Sequence, residues 1–462
     1  MSAVGERVAL EARTTTAGSA SSWAIYFGWI VIILDGAALN LALPTIAREL
    51  HAGTAGTEWV VDAYTLPLAS LLLSAGSLGD RIGAVRLFRW SAVVFSIAAV
   101  LSALSPSLPV LIAARALQGV SAAGLLPMVL ALIGKTIPSA RERGRAANML
   151  SIFGGGAMAA GPCLGGLLTG TIGWRFVFWL TVPPALAAAA LMRDMPEVPS
   201  DGRRRFDAAG QVSGAVAITA LVAGLIEGGS QGWGSDSVIS LLAGGLVLLA
   251  VFITIERRSR EPMMPPALFH HAAFRAVSLG GFVFQLGGFG LPFLLALYLQ
   301  RAWGASPLAA GLTMLPFAIG ISGAGIVVNP RIVHRGARSM MIVGAVTAII
   351  GTAMILAVAG AAGRPLLMLA LLIVGLGQGI YSTALNITVN VAVGPSQAGI
   401  AAGVYNTARQ SGQAVAFAVL GAFAATADAH AGMHAGIGIC TACPAIVLAL
   451  ALATKSLASA ES

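Results

Sequence analysis

Carboxylates inside apolar sequence are the side chains of this chain best suited to chemistry. Of its 18 Asp and Glu residues, Asp35 and Asp62 lie well within long apolar runs, and Glu58 and Glu227 lie near the ends of such runs. A carboxyl group removed from water can bind and release a proton near neutral pH, because desolvation disfavours its charged form. The pattern therefore indicates reversible proton binding.

Asp35 is the first candidate for a proton site. An ionised aspartate near the middle of a membrane helix costs at least ~2.5 kcal/mol on insertion scales, and such residues usually mark transport pathways. The structural alternative is a carboxylate locked to a neighbouring helix, and we favour the functional interpretation. Asp62, with Glu58 one helical turn earlier on the same face, fits a second proton site, a contact for a cation and a solvated rim carboxylate equally well.

Two arginines also fall inside apolar runs. A guanidinium stays protonated and needs a partner in hydrocarbon, so Arg115 must hold an acid or a polar network. Either role predicts that its removal abolishes function. Arg409 is the intramembrane charge of the second half of the sequence, and the pattern is equally consistent with a cavity-lining residue and with one that fastens its helix.

The composition indicates that these residues lie in helices that cross a membrane. The chain of 462 residues is 57% hydrophobic and only 10% charged, and its mean hydropathy is +0.87. These values lie far outside the range of soluble proteins. Apolar runs of sufficient length predict an all-α membrane protein with about 14 spanning helices. Among the predicted spans are 23–44, 174–192 and 400–424.

Basic residues predict the orientation of these helices. Loops after odd-numbered spans hold only Arg48, Arg175, Arg301 and Arg364, whereas most of the other arginines fall in loops after even-numbered spans. By the positive-inside rule, the even-numbered loops and both termini are cytoplasmic. The formal net charge of +9 therefore reports topology, and we expect no nucleic-acid partner.

An internal repeat predicts two halves. The basic stretch 329–338 looks like a decayed copy of the glycine-rich stretch 76–86, which suggests repeated helix bundles around a midplane site. We predict a disordered cytoplasmic tail and a C-terminal tail that enclose two six-helix bundles and a linker with two inserted helices. The predicted boundaries are 1–22 for the first tail, 23–194 for the N-terminal bundle, 195–270 for the linker, 271–454 for the C-terminal bundle and 455–462 for the second tail.

Several motifs carry a resemblance to a known family. The stretch 76–86 resembles the cytoplasmic signature loop of the major facilitator superfamily, and 34–44 resembles a first-helix signature of one of its branches. Stretches 115–119 and 161–166 are similar to the arginine motif and the antiporter motif, and 406–412 also matches. The whole chain thus resembles the 14-span drug:proton antiporters of that superfamily, of the actinobacterial antibiotic-exporter type. Ala84 and Val85 depart from the pattern, since basic residues are usual there, and Thr181 replaces an asparagine.

The resemblance implies roles for particular residues. Arg115 would take part in proton translocation. The implied cytoplasmic gate comprises Gly76, Gly79, Asp80, Arg81, Gly83 and Arg86. The implied antiporter motif comprises Gly161, Pro162, Gly165 and Gly166, whose small residues would seal the external side, although close helix packing alone explains them too.

The substrate cavity is less specified, because a polar residue in a span is as often a helix–helix contact as a ligand contact. The candidates are Asn40, Gln118, Gln285, Tyr381, Asn386, Asn390, Asn406 and Arg409. Cys440 and Cys443 have the spacing of a redox or zinc motif, but we favour buried structural thiols and expect no metal.

The resulting expectation is a proton-coupled antiporter that exports hydrophobic or amphipathic small molecules by alternating access. It would be a monomeric multi-pass protein of the bacterial cytoplasmic membrane, in contact with lipid, without a cofactor and without enzymatic activity. A metabolite uniporter or importer on the same fold is the main alternative, and a membrane-embedded enzyme or a receptor is a more distant one. Participation of Asp62 or Glu227 in coupling is left open by the sequence.

Overall fold

The computed structural model describes residues 22–137, 139–197, 207–259, 262, 264–358, 363–393, 398–424 and 428–453. These residues form α-helices and a short 3-10 helix, Pro266–His270, and contain no β-strand. In chain order the helices are α1 (Ser22–Leu39), α2 (Leu43–Glu49), α3 (Thr54–Ile82), α4 (Ala84–Ala103), α5 (Leu108–Thr136), α6 (Ala140–Thr171), α7 (Arg175–Trp179), α8 (Val182–Leu191), α9 (Ala208–Gln231), α10 (Asp236–Arg258), α11 (Ala272–Arg301), α12 (Pro307–Arg335), α13 (Ala337–Val358), α14 (Arg364–Val391), α15 (Ala398–Ala424) and α16 (Ala429–Ala453). The all-α fold class is confirmed. The predicted tails 1–22 and 455–462 lie outside the described residues except for Ser22.

Helix length and composition support many membrane spans. Within the described part of the chain, 11 helices are long and apolar enough to cross a membrane, or up to 12 if the bent helix α3 is one span. The predicted span 174–192 is shorter than this standard, and the predicted span 400–424 forms α15, whose middle is polar. The chain is therefore a multi-pass membrane protein, and the full number of about 14 spans stays a prediction.

Two predicted spans are interrupted at prolines. The stretch 174–192 forms α7 and α8 rather than one helix, and Pro183 and Pro184 lie in the first turn of α8. The stretch 23–44 likewise divides, because α1 ends at Leu39 and α2 begins with Pro44 in its first turn. The N–H that proline lacks has no intrahelical partner in a first turn, so proline is well suited to the starts of α2 and α8.

The largest group of buried apolar side chains joins the two halves. It contains Leu39, Val61 and Trp174 from the first half and Leu294 and Phe317 from the second. These residues lie near the end of α1, the start of α3, the end of α11 and the start of α12. By the charge pattern this is the external end of the molecule. The two halves thus share one core at the predicted external end.

At the other end each half has its own core. One cluster, which includes Ile25 and Phe88, draws only on residues 24–192. Another, which includes Phe274 and Met341, draws only on residues 268–451. Among the described residues the halves are therefore packed together at the predicted external end and have separate cores at the predicted cytoplasmic end.

The two helices predicted as an insertion differ in their surroundings. Val222 and Ile226 of α9 pack in one cluster with Leu66 of α3 and with Ala414 and Ala418 of α15. Helix α9 therefore lies along the seam between the two halves. Helix α10 packs against α9. Only 17% of the residues in its most apolar segment are buried inside the protein, which suits a helix that faces lipid.

Candidate functional site

Asp35 and Arg115 form a buried ion pair between α1 and α5. Nη1 of Arg115 donates to Oδ2 of Asp35 at 2.7 Å, and the two side chains are 1% and 2% exposed. Such a pair is stable only while both partners are present, because removing one leaves an unpaired buried charge that costs about 3–5 kcal/mol. Loss of the charge on Asp35 would therefore leave the charge on Arg115 buried and unpaired.

Further hydrogen bonds enclose the pair. Nη1 of Arg115 also donates to Oε1 of Gln118 at 2.9 Å, and Nε donates to the carbonyl of Val60 at 3.1 Å. Nε2 of Gln118 donates to Oδ1 of Asp35 at 3.3 Å. The guanidinium lies 4.4 Å from the centre of the Tyr64 ring. Asp35 thus connects α1, α3 and α5 through one network.

Helix α1 also borders a cavity between the halves. The residue after Asp35, Gly36, lines this cavity together with Ala37 and Asn40, and α11 and α12 contribute the apolar side chains Phe289 and Phe317. Asn40 is buried, and its Oδ1 has no hydrogen-bond partner among the described residues. The cavity therefore combines an apolar wall with an amide, beside the candidate proton site.

The antiporter motif lies where α6 meets both α1 and α12. A side-chain carbon on Gly161 or Gly165 would overlap α1 at Ala37 or Ala38. A side-chain carbon on Gly166 would overlap the carbonyl of Pro307 on α12. Only glycine permits these backbone approaches. The motif glycines thus hold the first half against the second, close to the helix that carries Asp35.

A second group of carboxylates lies on α3 and α9. Asp62 is fully buried, and Thr65 donates to its Oδ1 at 2.8 Å, while its Oδ2 has no described partner. Glu58 is 2% exposed, lies against Gly421 of α15, and has an Oε2 without a described partner. Glu227 accepts from Nε1 of Trp59 at 3.4 Å. The structure therefore brings Glu58, Asp62 and Glu227 to the seam between the halves, away from the Asp35 network.

Arg409 lies in a polar group on α11 and α15. Its Nε and Nη2 donate to Oε1 of Gln285 at 3.4 and 3.3 Å. Nε2 of Gln285 donates to Oε1 of Gln413 at 2.7 Å. The rings of Phe284 and Tyr405 lie 5.3 and 5.7 Å from the guanidinium carbon. Two of the cavity candidates, Gln285 and Arg409, are thus in direct contact.

Comparison with known proteins agrees with this geometry. The Major Facilitator Superfamily profile matches residues 25–417, which is most of the chain. The chain belongs to the Major Facilitator Superfamily. It is similar to the puromycin resistance protein pur8 of Streptomyces alboniger, with 34% identity over 411 residues that cover 85% of this chain and 78% of that protein. The cephamycin export protein CmcT of Amycolatopsis lactamdurans is 34% identical over 408 residues, which cover 84% of this chain and 82% of that protein.

Solved structures show the same fold. A crystal structure of a peptide transporter, POT, matches with a TM-score of 0.69 at 17% identity, covering 96% of this chain and 95% of that one. This superfamily protein is therefore a multi-pass transporter of the cell membrane with the major facilitator fold.

The junction of α3 and α4, where the cytoplasmic gate was expected, has an anchor that sequence reasoning missed. Glu197, which follows α8, accepts from the backbone N–H groups of Val85 and Arg86 at 2.9 and 3.0 Å. Gly83 has a φ of +103°, and a side-chain carbon there would overlap the Glu197 carboxylate. The stretch 76–86, expected as a loop, is helical except at Gly83: Asp80, half-buried, and Arg81, exposed, lie on α3, and Arg86, exposed, lies on α4. No local sequence pattern predicts this contact, because Glu197 lies 112 residues from Val85 in the chain.

The remaining cavity candidates lie apart. Gln118 belongs to the Asp35 network and is fully buried. Tyr381 is also fully buried, with no described partner for its hydroxyl. Asn386 is exposed and Asn406 is half-buried, and each donates to a backbone carbonyl of its own helix. The side chain of Asn390 lies outside the described residues.

The cysteines of the expected structural pair lie in the second half. Cys440 and Cys443 are buried free thiols of the second half. Within the described part of the chain, no group of three or more His, Cys, Asp or Glu side chains could hold a metal ion.

Gln211 of α9 was not a candidate, yet its Nε2 donates to the carbonyl of Ser70 on α3 at 2.6 Å. This bond ties the inserted helix to the first half.

Proposed function

We propose that this protein is a proton-coupled antiporter that exports hydrophobic or amphipathic small molecules by alternating access, acts as a monomer and catalyses no covalent reaction. The observation that carries the proposal is the buried Asp35–Arg115 pair next to a cavity between the two halves. Relatives named for puromycin resistance and cephamycin export support the choice of cargo.

In this proposal the arrangement of the cores corresponds to one access state. The shared core would close the predicted external end, and the separate cores at the other end would let the two halves part there to admit substrate from the cytoplasm. Alternating access would then require the shared core to open while the separate ends come together.

Asp35 would couple the proton to this motion. Protonation would remove the negative charge that holds Arg115, so α1 and α5 would lose the ion pair between them. Helix α1 packs against the glycines of α6, and α6 packs against α12 of the other half. A shift of α1 is thereby passed to the contact between the halves, and a proton entering from outside would favour the state that releases substrate outward. Asp62 would serve as a second coupling group, because it is fully buried one helical turn from Glu58, which lies against α15 of the other half.

Inside-out vesicles provide the test. We expect Asp35→Asn to lose pH-gradient-driven substrate accumulation, and the exposed matched control Asp194→Asn to keep it. Because Asp35→Asn leaves Arg115 unpaired, purified protein in detergent gives a second readout. Wild type should release protons when substrate is added, and Asp35→Asn should not.

Three results would contradict the proposal. Gradient-driven accumulation by a folded Asp35→Asn variant would remove Asp35 from coupling. Substrate movement by wild type that follows only its own concentration gradient would support a uniporter, and substrate expulsion from inside-out vesicles would support an importer.

A further inference from the structure

The second half contains a membrane-embedded arginine, Arg409, whose charge no acidic residue of that half neutralises. Between residues 271 and 454 the sequence has a single acid, Asp428, which lies just before α16. Arg409 lies near the middle of α15, and no described residue forms an ion pair with it. A guanidinium cannot lose its proton, and a charge at this depth of the membrane costs at least ~2.5 kcal/mol. A counter-charge from outside the protein would offset that cost.

The side chain of Arg409 is oriented and has a donor group to spare. Gln285 accepts from Nε and Nη2, which fixes the plane of the guanidinium. Gln285 is itself held by Gln413. Among the described residues no acceptor lies on Nη1 of Arg409, and the hydroxyl of Tyr405, whose ring flanks the guanidinium, also lacks a partner. These groups are hydrogen-bond donors in a fixed arrangement without an acceptor.

The donors lie beside the cavity between the halves. Gln285 precedes the cavity-lining residues Gly288 and Phe289 by one turn of α11. Residues three or four apart on a helix share a face, so Gln285 and the cavity wall are neighbours. Arg409 is half-buried, so the described residues leave part of its side chain uncovered. A molecule with an apolar body and an acidic group would match both the apolar wall and the cation.

We propose that the compound carried by this protein bears an anionic group, a carboxylate or a similarly charged acidic oxygen, and that Arg409 binds this group. The inference rests on the proposed export function and names its substrate class. Guanidinium and carboxylate form two parallel charge-assisted hydrogen bonds, which selects for planar oxyanions. Gln285 is a positioning residue that aims the guanidinium.

Binding of three dansyl compounds to the full-length protein in detergent tests the proposal. Dansylglycine is an anion, its methyl ester is neutral, and dansylcadaverine is a cation, and all share one fluorophore. We expect wild type to bind dansylglycine at least tenfold more tightly than the other two, a difference of about 1.4 kcal/mol. Arg409→Gln should abolish the preference and Arg409→Lys should keep part of it. Arg364→Gln, an exposed arginine at the start of α14, is the matched control and should bind like wild type.

Four results would overturn the inference. The first two are equal affinities of wild type for the three compounds and no saturable binding of dansylglycine. The third is an anion preference that survives in Arg409→Gln. The fourth is loss of the preference in wild type when chloride replaces gluconate in the buffer, because an inorganic anion would then be the occupant of the site. Thermal unfolding of Arg409→Gln separates lost binding from lost folding, because the ester should still bind a folded variant. Binding in detergent needs no gradient, so a failure of proton-driven export with an intact anion preference would contradict the proposed function alone.

Discussion

Gly165 of α6 lies directly against the backbone carbonyl of Ala38 on α1, so closely that a side-chain carbon would overlap it. Ala38 follows the buried Asp35 by three residues, about one helical turn. The next residue of α6, Gly166, lies against Pro307 of the second half. One short glycine segment therefore connects the candidate proton site with the contact between the two halves.

Substituting Gly165 tests this connection. Gly165→Ala should lower thermal stability in detergent by about 1–3 kcal/mol and slow transport, because the added methyl group must push α1 away from α6. Gly170→Ala on the same helix is the control, since no atom lies within 4 Å of its added carbon. Equal behaviour of the two variants would show that the close approach does not matter.

Two variants distinguish a coupling role of Asp62 from a structural one. Asp62→Asn keeps an acceptor for Thr65 but cannot carry a proton. We expect pH-driven export in inside-out vesicles to fall at least tenfold, about 1.4 kcal/mol, with thermal stability unchanged or raised, because an amide resembles a protonated carboxyl group. Thr65→Val removes the hydrogen bond and leaves the carboxyl group, so it should retain export. Normal export by Asp62→Asn would assign Asp62 to structure.

Glu197 should hold the first turn of α4 in place. Glu197→Gln loses the negative charge that favours the N-terminal turn of α4 and one of two acceptors for backbone N–H groups, which should cost about 0.5–2 kcal/mol locally. Faster amide hydrogen exchange at residues 84–88 is the measurement. Asp194→Asn, an exposed acid three residues earlier, should leave this exchange unchanged. Unchanged protection in Glu197→Gln would mean that the contact contributes nothing to this turn.

Asp428 should make the start of α16 sensitive to acid. The N–H groups of Ala431 and His430 donate to its carboxylate and hold the pKa of Asp428 below the ordinary value of 3.8. Because the folded pKa is the lower one, this stabilisation is present above about pH 4 and is lost as the pH falls through the folded pKa. Hydrogen exchange of α16 measured against pH should show the loss in wild type.

Two variants calibrate that measurement. Asp428→Asn caps the helix without a charge, so it should show no such pH dependence. Asp428→Ala should exchange faster at every pH. A wild-type profile that matches Asp428→Asn would contradict the assignment.

Much of the architecture was predictable from local properties. Hydropathy predicted nearly all of the long helices, and the all-α fold and the superfamily were confirmed. The predicted spans 23–44 and 174–192 are instead divided at the starts of α2 and α8, whose first turns contain Pro44 and Pro183–Pro184. Asp35 and Arg115 were predictable as candidates, since a charge in an apolar run is visible without a structure.

By itself, therefore, the sequence determined which segments enter the membrane and which charged residues enter with them, because hydropathy and charge are properties of each segment alone. Only the tertiary structure decided which of these residues meet. Arg115 pairs with an acid 80 residues away, and Glu197 returns to the first turn of α4, 112 residues away. Such contacts depend on how whole helices pack, and that packing is set by shape complementarity at glycines such as Gly165, which no single segment encodes.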